Sequence, residues 1–315
     1  TPRGNFEGKN VLTFSGTWEE RQETAEAREK LFEMRETRVR PERDEKVLTS
    51  WNGLMLAAFA EAGVGLERED YVAVAEQNAA FLLDELRAED GHLLHTWRDG
   101  RAKGRGFLED YAYLIDGLMA LYQATFEPRW YNGASELAEV MVERFEAPEG
   151  GFFDTSVAHE KLVTRPRTLQ DSAVPSGSSM AVWDLLRLSQ LSVEPWYAEI
   201  ARSSLRQVQQ LLAQYPLGFG QWLTALNYAL AETREIAIVG DPGTEEVEAL
   251  LRVCRDGYRP YQVLAVGDPK DPRVEVPLLM DRERIDGKAT AYVCVDFTCR
   301  KPVTDPEALQ AELEV

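Results

Sequence analysis

The chain has 315 residues, 44% apolar and 28% charged, enough to bury a substantial core in one large domain or in one domain plus a small appendage. With 35 Lys and Arg against 54 Asp and Glu, the formal charge is −19, which argues against a nucleic-acid backbone or an anionic membrane surface as partner. No run of about eighteen uncharged apolar residues occurs and the N-terminus does not resemble a signal peptide, so the chain reads as a soluble globular protein with no membrane span.

Thr1 stands where an initiating Met would, so the chain reads as a processed product or as the distal part of something longer. Residues 1 to 16, TPRGNFEGKNVLTFSG, form an extended lead-in. Thr17 can cap a first helix with Glu19 and Glu20 in its first turn; its apolar positions run through Leu31, Phe32 and Met34 toward Arg38, and Pro41 closes it. RPERDEKVLTS (40 to 50) is a charged loop leading to Trp51.

Three helical hairpins follow. WNGLMLAAFAEAG (51 to 63), EDYAYLIDGLMALYQAT (109 to 125) and SGSSMAVWDLLRLSQL (176 to 191) each start with polar or small residues and continue as an apolar helix. Each is followed by a more charged helix that opens on an aromatic and ends at Gly or Pro, at 71 to 91, 130 to 151 and 196 to 216. A repeated pair of one buried and one exposed helix, with a period of roughly sixty residues, predicts a toroid of inner and outer helices. FGQWLTALNYAL (219 to 230) adds one more apolar helix.

The period then changes. REIAIVGD (234 to 241), TEEVEALLRVCRDGY (244 to 258) and YQVLAVGD (261 to 268) predict a βαβ unit with parallel strands, followed by a third strand at 290 to 299 and a terminal helix at 305 to 313. The predicted domains are therefore a helical-hairpin toroid portion over 1–231 and a small α/β appendage over 232–315. IVGDPG lacks the glycines and the Lys of a phosphate cradle, so a nucleotide site is not expected there. Cys254, Cys294 and Cys299 make an odd count, which favours a reducing, cytoplasmic setting. C-x4-C without a second pair or a nearby His does not predict a zinc site, and no other metal or cofactor is expected.

The loops entering the inner helices should line a common mouth. The first holds Arg43, Asp44, Lys46, Ser50, Trp51 and Asn52; the second Arg105, Phe107, Glu109, Asp110 and Tyr111; the third Arg165, Arg167, Asp171, Pro175, Ser176 and Ser178. Carboxylates, aromatics and bidentate donors converging on one cavity suit a small carbohydrate, whose apolar faces stack on rings and whose hydroxyls take polar partners. Glycosidic chemistry needs one carboxylic acid and a second carboxylate, and Asp44, Glu109, Asp110 and Asp171 are the candidates. Lys46, Trp51, Asn52, Tyr111, Arg165 and Ser176 are the expected ligand contacts. Against this, Asp44, Asp110 and Ser176 each stand where a helix N-cap would. His92 and His95, in a short hairpin, and His159 read as surface or cavity-rim residues.

In order along the chain, GNFEGKNVL, RPERDEKVLTSWNGLMLAAFA, GFLEDYAYLIDGLMALYQAT, GGFFDT, DSAVPSGSSMAVWDLLRL and AYVCVDFTCRKPVTDPEAL resemble the C-terminal portion of the thioredoxin-domain proteins related to spermatogenesis-associated protein 20. The resemblance covers nearly the whole chain. It implies an (α/α)6 toroid similar to six-hairpin glycosidases and N-acylglucosamine 2-epimerases, preceded by a thioredoxin-like domain that this chain lacks. The first part of the toroid is also lacking, so the fold expected here is mainly α, an incomplete ring whose apolar edge another part or another chain would cover. Ser178 stands where the family usually carries Asn. The function expected is sugar binding or a glycosidase-like or epimerase-like activity; the rival is a noncatalytic protein- or peptide-binding scaffold. With no C-x-x-C motif, direct redox chemistry is not expected.

Overall fold

A computed structural model describes residues 3–160 and 163–314. It divides into two compact units, Thr1–Glu45 and Lys46–Val315. In the first, the single helix predicted after Thr17 is two, α1 (Trp18–Glu23) and α2 (Ala25–Glu36), separated at Thr24. The predicted cap is present: Glu20 N donates to Thr17 Oγ1 at 3.3 Å and Thr17 N donates to Glu20 Oε2 at 2.8 Å. Neither helix buries a residue, and Leu31, Phe32 and Met34 are exposed.

The second unit opens differently from the expected charged loop. Val47–Leu48 form a short strand, β1, and the first inner helix, α3, begins at once as Thr49–Gly65. Its partner is α4 (Glu69–Glu85). The segment between the first two hairpins folds as β2 (Leu94–Arg98) and β3 (Arg101–Arg105), which complete an antiparallel sheet in the order β1-β2-β3. The turn at Asp99 and Gly100 has positive φ at both residues, as a two-residue hairpin loop of the right twist requires.

The second hairpin is α5 (Leu108–Thr125) with α6 (Pro128–Phe145), and the third is α7 (Gly177–Leu191) with α8 (Pro195–Gln214). Then comes α9 (Gly220–Leu230). Packing follows the predicted alternation: α3, α5, α7 and α9 lie side by side, and α4, α6 and α8 each cover their own inner helix. The unit is thus mainly α, an arc of the (α/α) toroid type. α5 carries buried residues along its whole length, including Tyr113, Leu114, Ile115 and Leu121, whereas α6 and α8 bury one face. α3 approaches α5 closely because position 53 lacks a side chain; a Cβ on Gly53 would lie 2.6 Å from the Tyr113 carbonyl carbon.

The predicted βαβ unit is β4 (Arg234–Val239), α10 (Glu245–Arg255) and β5 (Gln262–Gly267), and β4 and β5 pair in parallel, Ile236 opposite Leu264. The third predicted strand is a hairpin, β6 (Thr290–Val295) and β7 (Thr298–Cys299), giving the sheet order β5-β4-β6-β7. α11 (Pro306–Glu314) ends the fold against α10. This sheet is fastened to the helices by polar side chains: Leu264 N donates to Gln123 Oε1 at 2.9 Å, and Gln190 Nε2 donates to Glu235 Oε1 at 3.1 Å. Those bonds tie residues beyond 232 and the hairpins into one compact unit.

Candidate active site at the starts of the inner helices

A cavity of about 400 Å³, within the range of small-molecule sites, opens at the N-terminal ends of α5 and α7. Its wall includes His95 from β2, Phe107 and Glu109 at the start of α5, Asp154 and Thr168 from the loop after α6, and Ser176 and Gly177 at the start of α7. The two helix starts meet because position 177 is glycine: a Cβ there would lie 2.9 Å from Glu109 N.

Asp110, fully buried at the third position of α5, organises this end of the fold. Its Oδ1 accepts from Ser50 N at 2.9 Å, tying down the start of α3, and its Oδ2 accepts from Phe107 N at 2.8 Å, tying down the start of α5. The same Oδ2 lies 2.8 Å from His95 Nδ1. That hydrogen bond is the main reason the His95 imidazole titrates above its ordinary value, against burial and the nearby Lys46 cation, which pull it down. With Nδ1–H directed at the carboxylate, Nε2 is the nitrogen left for a ligand. The His95 ring stands edge-on to Phe107, centroids 5.0 Å apart, and Phe107 in turn lies 5.3 Å from His159.

Glu109 is half-buried beside Asp110 in the first turn of α5. A helix N-terminus favours the carboxylate. Burial outweighs it and raises the Glu109 pKa, with Asp110 and Asp154 adding repulsion and His95 opposing it. Glu109 and His95 therefore line one cavity, each shifting the other's titration through its charge.

Of the residues expected to share the mouth, Phe107, Glu109, Pro175 and Ser176 line the cavity. Ser176 is the N-cap of α7, accepting from Ser179 N at 3.1 Å. Asp110 sits behind the wall as a support for His95. Asp171 takes a fastening role: Oδ1 accepts from Ser176 N and Ser179 Oγ, each at 2.8 Å, and Oδ2 accepts from Gln221 N at 2.9 Å, joining the starts of α7 and α9. Tyr111, expected to stack on a sugar, is in the core; its ring packs 5.1 Å from Phe145 and its hydroxyl accepts from Leu93 N at 2.9 Å. Trp51 is 61% exposed on α3, away from the cavity wall. Asn52 bridges α3 to α4, donating to Leu48 O at 2.9 Å and accepting from Asn78 Nδ2 at 2.9 Å. Arg165 donates to the Thr155 and Arg144 carbonyls and lies 4.0 Å from the Phe153 ring. Asp44 is an exposed residue of the first unit, and α3 is capped at Leu48, so Asp44 is not its N-cap. Lys46 is exposed at the start of the second unit.

Two features went unread in the sequence. His95 was placed at a cavity rim, without its link to Asp110 fifteen residues on. Asp154, in the GGFFDT segment, accepts from Thr168 N at 2.9 Å and from Thr168 Oγ1 at 2.8 Å, holding the loop that closes the cavity. His92 is buried, in contact with Arg144, and not a surface residue. Among the described residues, no group of three or more His, Cys, Asp or Glu is placed to hold a metal ion, and no helix is long and apolar enough to cross a membrane.

The fold and this cavity define a helical-hairpin protein of the (α/α) toroid type with a polar cavity at the inner-helix starts. The chain is 30% identical to human spermatogenesis-associated protein 20 over 97% of its length and 32% identical to the mouse protein over 88%. It is 27% identical to an uncharacterised Caenorhabditis elegans protein over 98%. These matches place it in the family related to spermatogenesis-associated protein 20. It spans 42% of the human relative, 37% of the mouse relative and 45% of the nematode one. No family model matches. Similar solved structures include the GH76 α-mannanase of Bacteroides thetaiotaomicron, at TM-score 0.45 and 16% identity over 54% of this chain and 46% of that one. They also include the cellobiose 2-epimerase of Spirochaeta thermophila, at TM-score 0.45 and 16% identity over 54% and 44%.

Proposed function

We propose that the cavity binds a small carbohydrate and that Glu109 and His95 exchange protons with it. The observation that carries this reading is the couple itself: a half-buried carboxyl with a raised pKa and an imidazole oriented by a buried carboxylate, both on one cavity wall. A polyol offers what this wall can use. Hydroxyls pair with Glu109, Asp154, Thr168 and Ser176, and the apolar face of a sugar ring fits against Phe107.

The chemistry follows from the protonation states. The raised Glu109 keeps its proton to higher pH than a free carboxyl and so serves as the acid. Once deprotonated, His95 takes up a proton at Nε2, and Asp110 stabilises the resulting cation through Nδ1. The pair supports proton transfer at a hydroxyl or beside a carbonyl carbon of the sugar.

A thermal-shift screen against mono- and disaccharides, their phosphates and N-acetyl derivatives tests the reading. A ligand at a hundredfold its dissociation constant adds about 2.7 kcal/mol of stability. The expected result is a shift for one sugar class that Glu109→Gln and His95→Asn each reduce. A shift unchanged in both variants, or no shift with any sugar, would remove the reading.

A further inference from the structure

Cys294 and Cys299 form a disulfide, S–S 2.03 Å, across the β6–β7 hairpin. They are register partners, and Arg300 N donates to Val293 O at 2.9 Å one position further along, so the two cysteines occupy the pair where side chains lie closest. Cys294 is fully buried and Cys299 is exposed. The turn between the strands is Asp296 and Phe297, both with positive φ, 48° and 60°. That loop twists correctly for a two-residue hairpin, although a bulky Phe occupies a position that favours Gly or Asn.

A guanidinium faces the sulfurs. Arg282 is held by the Leu278 carbonyl and by Met280 O, the latter at 3.2 Å, both through Nη1. This leaves Nη2 at 3.3 Å from Cys299 Sγ and 3.6 Å from Cys294 Sγ, while the buried Nε has no partner. A neutral disulfide gains little from a fixed, half-buried cation. A thiolate gains much, because a cation beside sulfur lowers the thiol pKa and improves the leaving group.

We propose that Cys294–Cys299 is a thiol–disulfide exchange site whose reduced form is stabilised by Arg282, and whose co-reactant is a small thiol. The thiolate of the co-reactant attacks exposed Cys299 Sγ, forming a mixed disulfide there while the bond to Cys294 breaks and Cys294 leaves as a thiolate beside Arg282. A second thiolate attacks the external sulfur of the mixed disulfide and releases the oxidised co-reactant and the Cys299 thiolate. In balance, two thiols give up two electrons and two protons, and the protein disulfide becomes two thiols. Phe297 N donates to buried Glu235 Oε2 at 3.2 Å, so opening the bond loosens a turn that is anchored to the sheet-to-helix contact.

The test is a titration of the native chain with reduced and oxidised glutathione, followed by alkylation and mass spectrometry. Buried Cys254, its thiol pushed up to about 12, is the internal control that stays unlabelled. Cys294 and Cys299 are expected to become labelled together in a two-electron transition. Arg282→Met should demand an equilibrium ratio of thiol to disulfide about tenfold more reducing, ~30 mV lower, and Arg282→Lys, which keeps the charge if the Met variant does not fold, should lie nearer the unaltered chain. The proposal is overturned if the bond opens only in denaturant, if the two cysteines stay thiols in excess oxidised glutathione, or if no Arg282 variant that folds moves the midpoint.

Discussion

The helix starts and the helix middles of the second unit treat carboxylates in opposite ways. At the starts, Asp110 and Asp171 each accept from two backbone N–H groups that the helices leave without internal partners. Further along α7, Asp184 is fully buried and neither carboxylate oxygen has a partner. The neighbouring Arg187 donates instead to Asp116 at 2.7 Å. Burial, and then Asp116, drive the Asp184 pKa well above the ordinary range, so the folded site favours the protonated acid over the carboxylate. The same side chain is thus an anchor where backbone donors are free and an unpartnered group that resists ionisation where they are spent.

The sharpest way to break this contrast is Asp110→Ala. It leaves Ser50 N, Phe107 N and His95 without their acceptor and should lower stability by about 4 kcal/mol in denaturant melts, as removal of one partner of a buried charged network does. Asp171→Ala, at a less buried site, should cost about 2.5 kcal/mol by the same measurement.

Glu235 lies between the extremes: buried, but given Gln190 Nε2 and Phe297 N, it titrates at about 6. Because the folded value is raised above the ordinary 4.5, its contribution is fully present below about 4.5 and is lost as pH rises through about 6. Glu235→Gln should remove about 2 kcal/mol of that pH dependence, read from melting temperatures between pH 4 and 7. The smallest effect belongs to Asp184→Asn. With no bond to lose, it should change stability at pH 5 by less than about 1 kcal/mol. It should also remove the decline in stability that the raised Asp184 pKa produces as pH rises; a loss comparable to that of Asp110→Ala would erase the distinction.

The helical hairpins were legible because burial imposes a period. α5 was predicted at 109 to 125 and runs from Leu108 to Thr125; α7 was predicted at 176 to 191 and runs from Gly177 to Leu191. Polar residues clustered at the helix entries pointed to the end of α5 and α7 at which the cavity opens. What the pattern could not resolve was direction. Glu109, Asp110 and Tyr111 are consecutive, and the helical turn of 100° per residue sends one to the cavity, one behind its wall and one into the core. Nor could local period pair His95 with Asp110, or Cys294 with Cys299, since the first depends on how β2 meets α5 and the second on a turn hidden inside a segment that reads as one strand.

The absent side chain at position 177 acts as a spacer of zero length. Any larger residue there would wedge the two helix starts apart and carry Ser176 away from Glu109, resizing the opening while every lining group keeps its chemistry. The aperture of the cavity is therefore encoded separately from its reactivity, and homologues could differ in the bulk they admit through one position that adds no side chain to the wall.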